Sequence, residues 1–477
     1  MIKNLFVLLL TSCLARAQSG DLGFTLSKAQ AEQDLETLFQ SLQNIHPALY
    51  QFQSEEEFIK AKNQIIASLE DSISELELHR QIREFIHQIG CGHTTALPSQ
   101  SWYAEQKENS KIIPLRVFVN QGELFIRKAF DKDSLLYPGQ KIKSIDGRPS
   151  KEIMADMLAI QELDGISEAY SIHRIQRLFS TYHLFLYGRR DEYQITVVDS
   201  LGRESQLKLK AGLYGIPPRL RPEIAEADIR MDGSSFYILD EYEGWALMDH
   251  NSFSSSGYKK YYRKVFKRIE EEQINHLVLD LRANGGGYFP NGMRLLRYLL
   301  ADEFQFAFNR PAGKVKKSDQ LNMPFTSRMT RFAFGLMPDR DKEDPRRNYE
   351  LSFKPKKRRY TGKLYVITDG GTFSMGSYVA TMLKHHREST FIGSETGGGE
   401  SGSNAVLMYT LSLANSGIRV LIPYYHLDHK VETQVAGHGV AVDIPIHYKV
   451  EDWLLQRDLE LDYLLTNFSG HETSRTD

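Results

Sequence analysis

The chain has 477 residues, room for two to four domains of ~100–200 residues each, with 41% hydrophobic and 25% charged residues. This composition excludes wholesale disorder, a collagen-like repeat and a disulfide-rich scaffold. A formal net charge of −2 argues against a dedicated nucleic-acid binder, and two cysteines, Cys13 and Cys91, are too few for a thiolate zinc site.

The amino terminus reads as an export signal. Lys3 precedes the apolar run Leu5–Leu10, and Ala15-Arg16-Ala17 is an A-x-A cleavage pattern. Cleavage after Ala17 is expected, giving a 1–17 leader and a periplasmic or secreted chain. Leu10-Thr11-Ser12-Cys13 also fits a lipobox, which would make Cys13 a lipidated first residue. That lipid is the only membrane attachment expected, because no other stretch reaches the ~18 apolar residues of a span.

Residues 18–110 are expected to form a helical domain. Ser27, Ser54 and Ser74 each precede a Gln or Glu by three residues, the capping-box pattern. Leu35, Leu38, Phe39, Leu42 and Ile45 share one face of the first helix; Leu78, Ile82, Phe85 and Ile86 share one of the third. Gly90 suits a helix end, and Cys91-Gly92-His93-Thr94 follows as a loop. Residues 111–212 read as a β-rich module. Short strands run over 113–119 and 123–128, and Pro138–Gly147 reads as turn, strand, turn. A helical insertion covers 150–187, and a hairpin turns at Gly202.

From 235 to 470 the pattern alternates strand, glycine loop and helix. Leu277–Leu281 ends in Asn284-Gly285-Gly286-Gly287, Leu364–Thr368 in Gly370-Gly371, and Thr390–Ile392 precedes Gly397-Gly398-Gly399. This order predicts a mostly parallel sheet with crossover helices. Residues 310–363 interrupt it with 16 Lys/Arg against 6 Asp/Glu. They read as a solvated insertion or as a lid for acidic substrates.

Three places can carry chemistry. Ser374 follows a strand and opens a helix, at the carboxyl edge of the expected parallel sheet, where ligands gather. The helix amino terminus favours developing negative charge, and the Met375 amide can donate to it. A serine there is also an ordinary helix cap. The glycines 285–287 free backbone amides to point at an oxygen; with no Gly-Lys-Ser/Thr and no G-x-G-x-x-G, a phosphate loop is the weaker reading. His93 lies on a loop after a rigid helix and titrates in the range of a general base.

Taken together, these features resemble peptidase family S41, the tail-specific or carboxyl-terminal processing proteases and their tricorn-type relatives. The family's D-x-R-x-N-x-G-G element is matched by Asp280-Leu281-Arg282-Ala283-Asn284-Gly285-Gly286-Gly287, and its T-x-S nucleophile motif by Thr372-Phe373-Ser374. G-E-x-T-G-G is matched by Gly393–Gly398 with Ser394-Glu395 inside it. G-x-G-V-x-P-D is matched by Gly437–Asp443 with Val442 for the proline. The G-D-G-H-T loop of the histidine-using branch appears as Gly90–Thr94, and Pro138–Gly147 is similar to the core of a PDZ module.

The sequence departs from the family at three further places. Gly399 stands where the Ser/Lys branch carries its lysine, Gly92 where a serine precedes the histidine, and Ser377 where glutamate is common. The resemblance implies a ClpP/crotonase-like α/β core and a serine endopeptidase that needs no metal or organic cofactor. Ser374 would be nucleophile and His93 base, with Glu432 orienting the imidazole. Met375 and Gly286 or Gly287 would hold the oxyanion. Peptide would be bound by strand addition near Gly139, Ile142 and Ile145, with protein carboxyl termini as expected partners. The alternatives are an inactive peptide binder of the same fold, or a Ser/His hydrolase of non-peptide acyl groups.

Overall fold

The computed structural model describes residues 24–469 except 110, 131–134, 214–225, 312, 314, 317 and 434. The expected leader and Cys13 lie outside the described residues.

Three helices, Lys28–Ile45, Glu55–Ala67 and Glu75–His87, form the amino-terminal part. Full capping boxes close Ser27 with Gln30 and Ser54 with Glu57, while Ser74 caps the third helix by accepting from the Glu77 amide. Phe39, Phe58 and Phe85 meet edge to face where the helices converge. This layer does not stand alone, because its buried residues belong to the same apolar core as the α/β part. Buried Asp34 accepts from the amides of Asn415 and Ser416, and strand Thr95–Leu97 pairs with Arg419–Asp428.

The middle module has its own core. Strands Leu115–Asn120, Glu123–Ala129, Lys141–Ile145, Glu192–Val198 and Glu204–Lys210 form an antiparallel sheet. Tyr193, Ile195 and Val197 turn inward in alternation. Helices Ser150–Ala159 and Ala169–Tyr187 flank the sheet, and the loop between them, residues 160–168, runs out of the module.

The α/β part contains two sheets. In the first, Ile229–Met231, Ser234–Ile238, Trp245–His250, His276–Asp280, Lys363–Thr368, Thr390–Gly393 and Ile444–Pro445 lie in that order. The first two pairings are antiparallel and the next four parallel. The second sheet, Leu321–Asn322, Gly402–Ser412, Arg419–Asp428, Phe304–Pro311 and Arg346–Phe353, is antiparallel throughout. The expected mostly parallel sheet describes only the first of these; across the molecule the sheets are largely antiparallel. The reason lies in the connections, since Gly402–Ser412 and Arg419–Asp428 are joined by a short turn, which only an antiparallel pair permits. The basic insertion is likewise no loose lid, because its strands Leu321–Asn322 and Arg346–Phe353 are woven into this sheet.

Candidate active site

The nucleophile turn joins strand Lys363–Thr368 to helix Met375–His386. Ser374 has φ 55° and ψ −121° and makes no capping bond. A non-glycine residue held at positive φ is strained and persists only where its surroundings over-determine it. They do so here. The Asp369 carboxylate accepts from the amides of Gly371 (2.9 Å) and Ala283 (2.7 Å). Thr372 Oγ1 donates to the Leu281 carbonyl at 2.8 Å, and the Phe373 amide donates to the Asn284 carbonyl. Gly286 presses against the turn from the other side. A Cβ at this position would lie 2.7 Å from the Met375 nitrogen and from Ser374 Cβ. The turn thus aims the hydroxyl away from the helix, as in a strand-to-helix nucleophile elbow.

His93 arrives from the amino-terminal part, and its Nε2 lies 3.1 Å from Ser374 Oγ. Its ring stacks on Phe373 (4.7 Å between centroids), which stacks in turn on Tyr170 (4.0 Å). Gly92 is explained by the same stack, since a Cβ there would lie 2.6 Å from Phe373 Cζ. A serine in this place is incompatible with Phe373 where it stands. Burial lowers the His93 pKa to about 4, so the ring is neutral and able to accept a proton at neutral pH.

Two of the assigned roles are corrected. Glu432 is exposed and makes no bond to His93, whose Nδ1 is buried without a hydrogen-bond partner. The Gly286 amide donates to Asn284 Oδ1 at 2.9 Å, so it is already committed. The amides of Met375 and Gly287 donate to no other group among the described residues. Of the three expected oxyanion donors, these two are uncommitted among the described residues.

The peptide-binding trio also falls elsewhere. Ile142 and Ile145 are buried in the core of the middle module. Gly139 turns at φ +94° against Leu454, whose Cδ1 a Cβ would meet at 3.0 Å. These apolar positions are spaced for packing, and packing is what they do.

Sequence reasoning missed Asp164. This buried carboxylate, on the 160–168 loop of the middle module, accepts from the Gly92 amide (3.0 Å) and the Gly399 amide (3.3 Å). It ties the histidine loop to the third glycine loop. Burial raises its pKa to about 6, against the lowering effect of the two amides. Nearby, buried Glu162 binds Arg83 (3.0 Å), Arg174 (3.3 Å) and the Thr95 hydroxyl, and these partners outweigh desolvation to hold it near 2. No periodicity marks either residue, because their partners are distant in sequence. Cys91 is buried and its thiol is pushed up to about 12 by burial, which removes it as a competing nucleophile.

The model of peptidase family S41 matches residues 245–446. Among solved structures, mature CPAF complexed with lactacystin is similar at 12% identity and a TM-score of 0.65, covering 92% of this chain and 97% of that one. A second structure of mature CPAF gives 13% identity and a TM-score of 0.62, covering 92% and 96%. At such identities the likeness speaks for the fold. No curated protein matches in sequence. The matched residues hold the Asp280–Gly287 strand end, the Ser374 elbow and the Gly397–Gly399 loop, so it is over 245–446 that the chain is similar to peptidase family S41, and this match supports a serine peptidase.

Proposed function

We propose that the chain is an exported endopeptidase that cleaves peptide bonds through an acyl-enzyme on Ser374, with His93 as general base. The observation that carries this reading is the 3.1 Å approach of Ser374 Oγ to His93 Nε2, made between residues 281 apart in sequence. The hydroxyl attacks the scissile carbonyl and passes its proton to the neutral Nε2. The Met375 and Gly287 amides receive the oxyanion, each such donor being worth about 3–4 kcal/mol of transition-state stabilisation. The imidazolium returns its proton to the leaving amine, and water then releases the acyl group. Phe373 and the Asp164-held loop orient the ring; Glu432 reaches Nδ1 only by leaving the exposed position it occupies.

Substrates are peptides or proteins. An extended segment, including a protein carboxyl terminus, would be held by strand addition at the exposed edge strand Glu204–Lys210 of the middle module. A fluorophosphonate probe tests the centre. Wild type should be labelled and Ser374→Ala should not. A wild-type protein that cleaves peptide yet takes no label would overturn the serine acyl-enzyme.

A further inference from the structure

Helix Phe325–Gly335, inside the basic insertion, is turned inside out. Phe334 is buried against Phe308 and Tyr425, and Met323 is buried just before the helix. Phe325, Met329, Phe332 and Leu336, by contrast, are between 53% and 74% exposed. At 3.6 residues per turn, these four fall within about 60° of one another, on the side opposite Phe334. A stripe of four large apolar side chains facing out over three turns is far more contiguous than the single exposed apolar residues usual on a soluble surface.

The charge around this stripe has one sign. The helix carries Arg328 and Arg331 and no acid, and residues 310–337 hold six Lys/Arg against one Asp/Glu. Arg328 donates to the Met323 carbonyl (2.8 Å) and to Asn322 Oδ1 (2.9 Å), and Arg331 to the Tyr409 hydroxyl. Neither has a carboxylate partner among the described residues. The insertion's acids cluster beyond the helix, where Asp339 and Asp344 are paired with Arg347 and Arg346.

We infer that this helix docks on an anionic lipid surface, with its apolar stripe in the acyl boundary and its arginines at the headgroups. An outward apolar face flanked by uncompensated cations is the pattern of an interfacial helix. A symmetric contact with a second copy would bring the cations of both helices into one interface with no acid on either helix to offset them. No described helix is long and apolar enough to cross a membrane, so the contact lies along the surface. This attachment is separate from any lipid on Cys13.

The test compares the full chain with a Phe325→Ser/Phe332→Ser variant, using co-sedimentation with phosphatidylcholine vesicles, with or without phosphatidylglycerol. Both proteins carry the same amino terminus, so their difference reads the helix alone. Wild type should bind the phosphatidylglycerol vesicles at least roughly tenfold better than the variant, and better than pure phosphatidylcholine, with binding weakened by salt. Arg328→Gln should lower binding to the anionic vesicles only. Equal binding by wild type and variant overturns the inference. So does a wild type that ignores anionic vesicles, or one that forms a dimer which the variant dissolves while binding neither vesicle. An unchanged circular dichroism spectrum and melting profile would show that the variant is folded.

Discussion

The two halves of the proposed catalytic pair are held by opposite means. Ser374 sits on a turn whose shape is set within the glycine-bearing strand ends of one sheet: Asp369, Thr372, Asn284 and Gly286 all act within a few residues of a motif. His93 is held from three directions: its loop follows helix Glu75–His87, its ring stacks on Phe373 of the serine turn, and the adjacent Gly92 amide donates to Asp164 of the middle module. The nucleophile is a local backbone device; the base is a product of domain assembly. Loss of either side chain should therefore be severe, whereas damage to the contacts that position the base should be graded and repairable.

The largest effect belongs to the nucleophile. Ser374→Ala should lower kcat by about 10⁵–10⁶, with an unchanged melting profile, as removal of a triad serine does elsewhere. His93→Ala should cost a similar factor, and kcat/KM of wild type should keep its acid limb near pH 4. The sign follows from the shift: a base with lowered pKa stays neutral, and active, until the pH falls to that value. An acid limb near the ordinary histidine value of about 6.5 would show that the ring is more solvated in solution than here.

A smaller effect should follow at Gly92. Gly92→Ala pushes a methyl into Phe373 and should cost roughly 10² in kcat, the usual result of misplacing a catalytic group by about 1 Å. Adding Phe373→Leu should restore part of the loss, so a double-mutant cycle reads the coupling of the two loops directly. Additive losses would break the comparison, because the base would then not depend on the nucleophile turn.

Asp164→Asn should have the mildest effect on rate, about tenfold in kcat with KM little changed, since one amide oxygen still accepts from Gly92 or Gly399. Its signature is in stability. A folded pKa raised by burial means the native state holds its proton more tightly, so stability falls as pH rises from about 4 through about 6. The variant lacks that titration. Its stability relative to wild type should increase across this window in denaturant melts taken at several pH values.

What was legible in the sequence divides along the same line. The three helix starts were readable because capping is a contact between residues three apart. The strand runs into glycine loops were readable because a strand buried on both faces is a continuous apolar run. The Ser374 elbow lies in such a motif. Gly139, Ile142 and Ile145 misled because the apolar spacing of a core strand is the same whether or not a ligand lies beside it.

The sequence by itself determined most of the elements and singled out the candidate pair Ser374 and His93, since each rests on local backbone chemistry or on a compact motif. Tertiary structure alone decided the rest. It committed the Gly286 amide to Asn284 and left the Met375 and Gly287 amides without an acceptor among the described residues. It left Glu432 exposed, put Asp164 between two loops it is 72 and 235 residues from, and turned the apolar stripe at Phe325 outward. Those outcomes depend on which surfaces meet, and a buried carboxylate or an exposed phenylalanine acquires its meaning only from neighbours that the chain brings in from afar.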